Sequence, residues 1–117
     1  MKKMVAFDFD KTLYDHKALE IPTSARRALR ELRERGQLVV LATGRDMSTH
    51  YSRPFLELVN ADARVEQNGA KVVADGKVLF EHFIDRALLR RMLDYAEETG
   101  IGFGVTIEDE DYYINPE

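Results

Sequence analysis

The chain has 117 residues, 44% of them hydrophobic and 32% charged, which fits one globular domain with a modest core. A formal net charge of −4 and the lack of any basic tract argue against nucleic acid as a partner. Cysteine is absent, which excludes disulfides and thiolate metal sites, and no apolar stretch approaches the roughly 20 residues needed to span a membrane.

Met1-Lys2-Lys3-Met4 leads straight into the first apolar segment. It lacks the apolar region and cleavage site of a secretory leader, so the expected location is the cytoplasm. Residues 4–9 form a short continuous apolar run and read as a buried parallel strand. The run ends in Asp8-Phe9-Asp10-Lys11-Thr12. Residues i and i+2 of a strand share a face, so Asp8 and Asp10 are expected to emerge together where the strand ends. Open α/β sheets bind ligands outside that end of their strands. Two like charges that close are costly unless a cation or a shared proton relieves them, which points to a divalent metal, an acid/base couple, or both.

Pro22-Thr23-Ser24 offers helix-start chemistry, Ala25, Ala28, Leu29 and Leu32 recur at helical spacing, and Gly36 is a stop. The arginines of this helix are expected on its wet face. Residues 37–42 form a second apolar strand ending in Thr43-Gly44-Arg45-Asp46, and a helix is expected from about Met47, interrupted or restarted at Pro54. Residues 64–66 are a weak third strand. Arg45 is expected either to contact substrate or to pair with a carboxylate, and Asn68-Gly69 either to shape a turn or to meet a ligand. His16, His50 and His82 have no metal-ligand spacing and read as surface or structural residues.

Strand, helix, strand, helix, strand is the rhythm of a parallel sheet. It then changes. Residues 71–74 and 77–80 flank Asp75-Gly76, a strong hairpin signal. Asp85 can cap a further helix that Gly100 ends, and residues 101–107 and 112–114 read as a second hairpin around the acidic run 108–111, itself a solvated turn. Tyr112 and Tyr113 alternate, so one is expected buried and one exposed. The expected division is a partial βαβαβ core with hairpin over 1–83 and a partial αββ unit over 84–117.

These motifs together resemble the haloacid dehalogenase (HAD) superfamily of phosphohydrolases, in its Cof-like branch. Asp8-Phe9-Asp10-Lys11-Thr12 is similar to the first family motif, Leu41-Ala42-Thr43-Gly44-Arg45 to the second, and Gln67-Asn68-Gly69-Ala70 to the segment that precedes the cap. The resemblance covers nearly the whole chain but only about the first half of such a protein. It implies a Rossmann-like α/β core of parallel strands, here partial, followed by a hairpin and the start of an α+β cap. It further implies Asp8 as a nucleophile forming an aspartyl phosphate, Asp10 as acid and base, and Thr43 as a phosphate contact. Phe9, Gly44, Arg45 and Asn68 would complete the phosphate or substrate site. Mg²⁺ would sit on Asp8 and on Asp10, the latter through its backbone carbonyl. The implied substrate is a small phosphorylated metabolite such as a sugar phosphate. Thr12 orients the loop. Lys11 stands where the family often has glycine, which is tolerable where the backbone avoids positive φ.

The family's third-motif lysine and acidic fourth motif have no counterpart in these 117 residues, so weak or absent turnover is expected. In the family's sheet the first strand is central; without its later neighbour it exposes an edge, which leads to an expectation of self-association or of a fragment. Two other readings remain: a non-catalytic phosphate- or partner-binding remnant, and a receiver-like phospho-acceptor, which needs five βα repeats.

Overall fold

Two apolar runs become the first strands of a five-stranded sheet. In the computed structural model, which describes residues 1–115, β1 (Met4–Asp8) pairs in parallel with β2 (Leu38–Ala42). β2 pairs in parallel with β3 (Ala63–Glu66). β4 (Lys71–Ala74) and β5 (Lys77–Glu81) add antiparallel, giving the order β1-β2-β3-β4-β5. This is the mixed α/β, parallel-rich partial core expected from the sequence. The described residues hold two parallel pairings followed by a meander, not five βα repeats.

The sheet explains one departure. β1 is not a buried strand: Met4, Ala6 and Asp8 are exposed and Val5 and Phe7 half-buried, because β1 is the terminal strand with a neighbour on one side only. β2, flanked on both sides, has Val39, Val40 and Leu41 buried.

α1 (Thr23–Glu34) connects β1 to β2 and buries Leu29, with Ala25 and Leu32 packed against the same core. Its arginines are not all on a wet face. Arg33 turns inward and donates to the carbonyls of Val59 and, at 2.6 Å, Asn60. Those carbonyls close α2 (Pro54–Val59), so one helix caps the other. α2 is shorter than the sequence suggests. Over residues 47–53 local side-chain bonds replace the helix: the Asp46 carboxylate accepts from the Ser48 amide at 3.0 Å, and the Thr49 hydroxyl donates to the Asp46 carbonyl at 3.0 Å. Pro54 then opens the helix, where a missing N–H costs nothing.

The β4–β5 turn is the two-residue type foreseen, with Asp75 at φ 50° and Gly76 at φ 71°. Chain contacts separate a first compact unit, Met1–Glu81, from a second that starts at His82. In the second unit Asp85 caps α3 (Arg86–Thr99) by accepting from the Leu88 amide at 3.0 Å. β6 (Phe103–Ile107) and β7 (Glu110–Ile114) form the second hairpin. Its turn is only Glu108-Asp109, both at positive φ, so Glu110 and Asp111 are strand residues. Tyr112 and Tyr113 are both exposed, since a two-stranded ribbon covers neither face fully. No helix among the described residues is long and apolar enough to cross a membrane.

Candidate functional site

Three loops, after β1, β2 and β3, carry the residues singled out in the sequence. The register sets Asp8, the last residue of β1, beside Ala42, the last of β2. Chain direction then sends Phe9-Asp10 and Thr43-Gly44-Arg45 off the same end of the sheet.

The loop after β1 is wound tightly on itself. The Phe9 carbonyl accepts from the amides of Thr12 (3.3 Å), Leu13 (3.0 Å) and Tyr14 (2.9 Å), while Lys11 N–H reaches the Tyr14 carbonyl at 3.0 Å. Such a turn needs a left-handed residue, and Lys11 takes it at φ 63°. The condition under which lysine would sit here without strain, a backbone that avoids positive φ, is therefore not met. The Phe9 ring is fully buried against Tyr14 and Phe55, so only its backbone can serve a site. Thr12 orients the nucleophile candidate: its hydroxyl donates to Asp8 Oδ2 at 3.0 Å.

Asp10 lies beyond the strand and is tied to the neighbouring loop. Arg45 Nε donates to Asp10 Oδ2 and Arg45 Nη2 to Asp10 Oδ1, both at 2.8 Å, and His16 Nε2 lies 2.8 Å from the same Oδ1. The Arg45 hydrogen bonds, helped by its charge and by His16, hold the Asp10 carboxyl below its ordinary range despite opposing burial. Of the two roles open to Arg45, substrate contact or carboxylate pairing, this structure realises the second. The bidentate geometry is one lysine cannot reproduce.

Thr43 is buried, and its amide is used in the sheet, donating to the Val65 carbonyl at 2.9 Å. Its Oγ1 accepts from the Arg45 amide at 3.1 Å, leaving the hydroxyl proton for another acceptor. Asn68 adjoins this loop on its other side. Its amide donates to the Thr43 carbonyl at 3.2 Å, and a Cβ at Gly44 would stand 3.1 Å from Asn68 Oδ1. Position 44 thus suits glycine because the Asn68 amide group packs on it.

Sequence reasoning missed two features. It discounted His16, whose signal was only its place in the loop after the aspartates. It also passed over Glu66, which is fully buried. Glu66 accepts from Met47 N at 3.1 Å and Arg64 Nε at 2.6 Å, and Lys71 Nζ lies 3.8 Å from its Oε2. Lys71 also reaches Asp46 Oδ1 at 3.4 Å, and Gln67 Nε2 donates to Asp46 Oδ2 at 2.8 Å. This ion cluster ties β3 and the start of β4 to the loop that follows Arg45. Its sequence signal was a carboxylate ending a weak strand, two residues from an arginine on the same face.

Residues 5–117 match the profile of the haloacid dehalogenase-like hydrolases. YkrA of Bacillus subtilis (strain 168), provisionally named a phosphatase, is 34% identical over 96 residues, 82% of this chain and 36% of that protein. A Streptococcus pyogenes serotype M6 protein, provisionally named a bifunctional phosphatase/peptidyl-prolyl cis-trans isomerase, is 33% identical over 105 residues, 88% of this chain and 22% of its own length. Among solved structures, the phosphatase-superfamily protein BT1666 of Bacteroides thetaiotaomicron superposes with a TM-score of 0.80 at 25% identity, covering 97% of this chain and 41% of that one. BT4131, described as a HAD subclass IIB sugar phosphatase, gives 0.75 at 25% identity, covering 99% and 45%. The chain thus spans less than half the length of these relatives. A profile match over nearly every residue, carried by a fold that puts its aspartate and threonine loops off one end of the sheet, has one meaning: the chain belongs to the haloacid dehalogenase-like hydrolases.

Proposed function

We propose that this chain carries the nucleophile-bearing portion of a Mg²⁺-dependent phosphohydrolase, acting in the cytoplasm on a small phosphorylated metabolite through an aspartyl phosphate. The observation that carries the reading is the convergence, off one end of a parallel sheet, of Asp8 with the Thr43-Gly44-Arg45 loop, joined by the Arg45–Asp10 pair. The sugar phosphatase description of BT4131 supports the substrate class. The division into a partial core over 1–83 and a partial αββ cap unit over 84–117 belongs to the same proposal.

Each residue has a defined task in this reading. Asp8, aligned by Thr12, attacks phosphorus. The Thr43 hydroxyl donates to a phosphoryl oxygen, with backbone N–H groups near Phe9 and Gly44 beside it. Asp10, when protonated, hands its proton to the leaving oxygen and, as the carboxylate that Arg45 favours, takes one from the hydrolytic water. Asn68 backs the phosphate loop at Gly44.

The donors present suit Mg²⁺, which binds hard oxygens and commonly takes one or two carboxylates plus phosphate and water. Asp8 would hold it through its carboxylate and Asp10 through its backbone carbonyl, because the Asp10 carboxylate is engaged by Arg45 and His16. When bound, the ion offsets repulsion between nucleophile and phosphate. The test is phosphate release from p-nitrophenyl phosphate by pure protein with Mg²⁺. Weak or absent release is expected, and Asp8→Asn should remove whatever release there is; equal, measurable release by the variant overturns the reading.

A further inference from the structure

The Asp10 carboxylate is gripped from two sides by residues that are themselves held. Arg45 makes two bonds to it, places Nη1 3.2 Å from the buried Ser52 hydroxyl, and lies over the Phe9 and Phe55 rings at 5.7 and 5.2 Å. His16 approaches from the opposite loop arm, its ring edge-on to Tyr14 at 5.1 Å and 88°. A carboxylate offers about four lone-pair directions. Arg45 and His16 fill three, so one direction is left for an incoming proton.

We propose that His16 and Arg45 are positioning residues that aim the Asp10 carboxylate at the water which hydrolyses the Asp8 phosphoenzyme. The inference rests on the aspartyl-phosphate reading above. In the step concerned, a water oxygen attacks phosphorus and an O–H bond breaks, its proton passing to Asp10. The P–O bond to Asp8 then breaks and returns the Asp8 carboxylate. The step requires an Asp10 carboxylate that cannot rotate away, and both partners oppose its rotation. Misplacing a catalytic group by about 1 Å can cost on the order of 10²-fold in rate. His16 has no other assignment in the mechanism, and its side chain is 40% exposed, so replacing it leaves the core intact.

Acetyl phosphate tests this directly, since its acetate leaving group needs no proton and Asp8 phosphorylation bypasses Asp10. The chain is labelled with Mg²⁺ present, the donor is removed, and decay of the phosphoenzyme is followed by mass spectrometry. His16→Ala is expected to slow decay by about 10-fold or more with labelling preserved, and Arg45→Lys to slow decay of whatever label it takes up by a similar factor. His16→Gln, which keeps an N–H donor at similar reach, should recover part of the loss. A merely structural role predicts no such rescue. Equal lifetimes in wild type and both variants overturn the inference while leaving the nucleophile reading intact. Absence of any label that Asp8→Asn removes overturns the nucleophile reading, and the inference with it.

Discussion

Lys11 holds a left-handed conformation in the tightest part of the aspartate loop, at φ 63°. For a residue with a Cβ this costs roughly 1–2 kcal/mol, partly offset by the greater unfolded-state freedom of the glycine that would relieve it. Lys11→Gly is therefore expected to raise stability by about 0.5 kcal/mol in denaturant titration. Asp46 supplies a pH signature. Burial raises its pKa, but the Ser48 hydroxyl and amide and the Lys71 charge outweigh burial and leave it below 3.8. A carboxyl lowered on folding stabilises the native state above its unfolded pKa and stops doing so as pH falls through the folded value. Asp46→Asn should thus cost about 1 kcal/mol at neutral pH and close on wild type in acid below the ordinary carboxylate range, read from unfolding midpoints.

At the scale of elements, the Glu66 ion cluster joins β3 and the start of β4 to the loop after β2. Glu66→Ala leaves Arg64 and Lys71 without their buried carboxylate and Met47 N–H without its acceptor. A loss of about 3–5 kcal/mol is expected, with a smaller one for Glu66→Gln, which retains an acceptor for Met47. The sequence made the strands, α1, α3 and both hairpins legible because their signals are local: apolar runs, an Asp cap, Asp75-Gly76. It misjudged residues 47–53 because Asp46, Ser48 and Thr49 bond their own backbone there, an effect that apolar spacing does not register. The site was legible where residues adjoin in sequence, as Asp8 and Asp10 do. Arg45–Asp10 spans 35 positions and Lys71–Asp46 spans 25, and such pairings follow from tertiary packing. His16 escaped for the same reason: a bond to Asp10 across a wound loop has no periodicity to announce it.

At the scale of the molecule, β1 is a sheet edge, with Met4, Ala6 and Asp8 exposed along it. Edges of this kind recruit further strands unless charge or a bulge blunts them. Concentration-dependent self-association is expected in light scattering, and Ala6→Lys should weaken it; a monodisperse wild-type monomer at every concentration would refute this. The self-closed turn on the Phe9 carbonyl bears on the order in which the molecule folds. Its bonds span no more than 5 residues, so it can close early and without help. Joining Asp10 to Arg45 brackets a stretch about seven times longer, at an additional loop-closure penalty of about 1.7 kcal/mol. During refolding the aspartate turn should therefore gain amide protection first, and the arginine latch should snap shut late, once the strands beneath it have met.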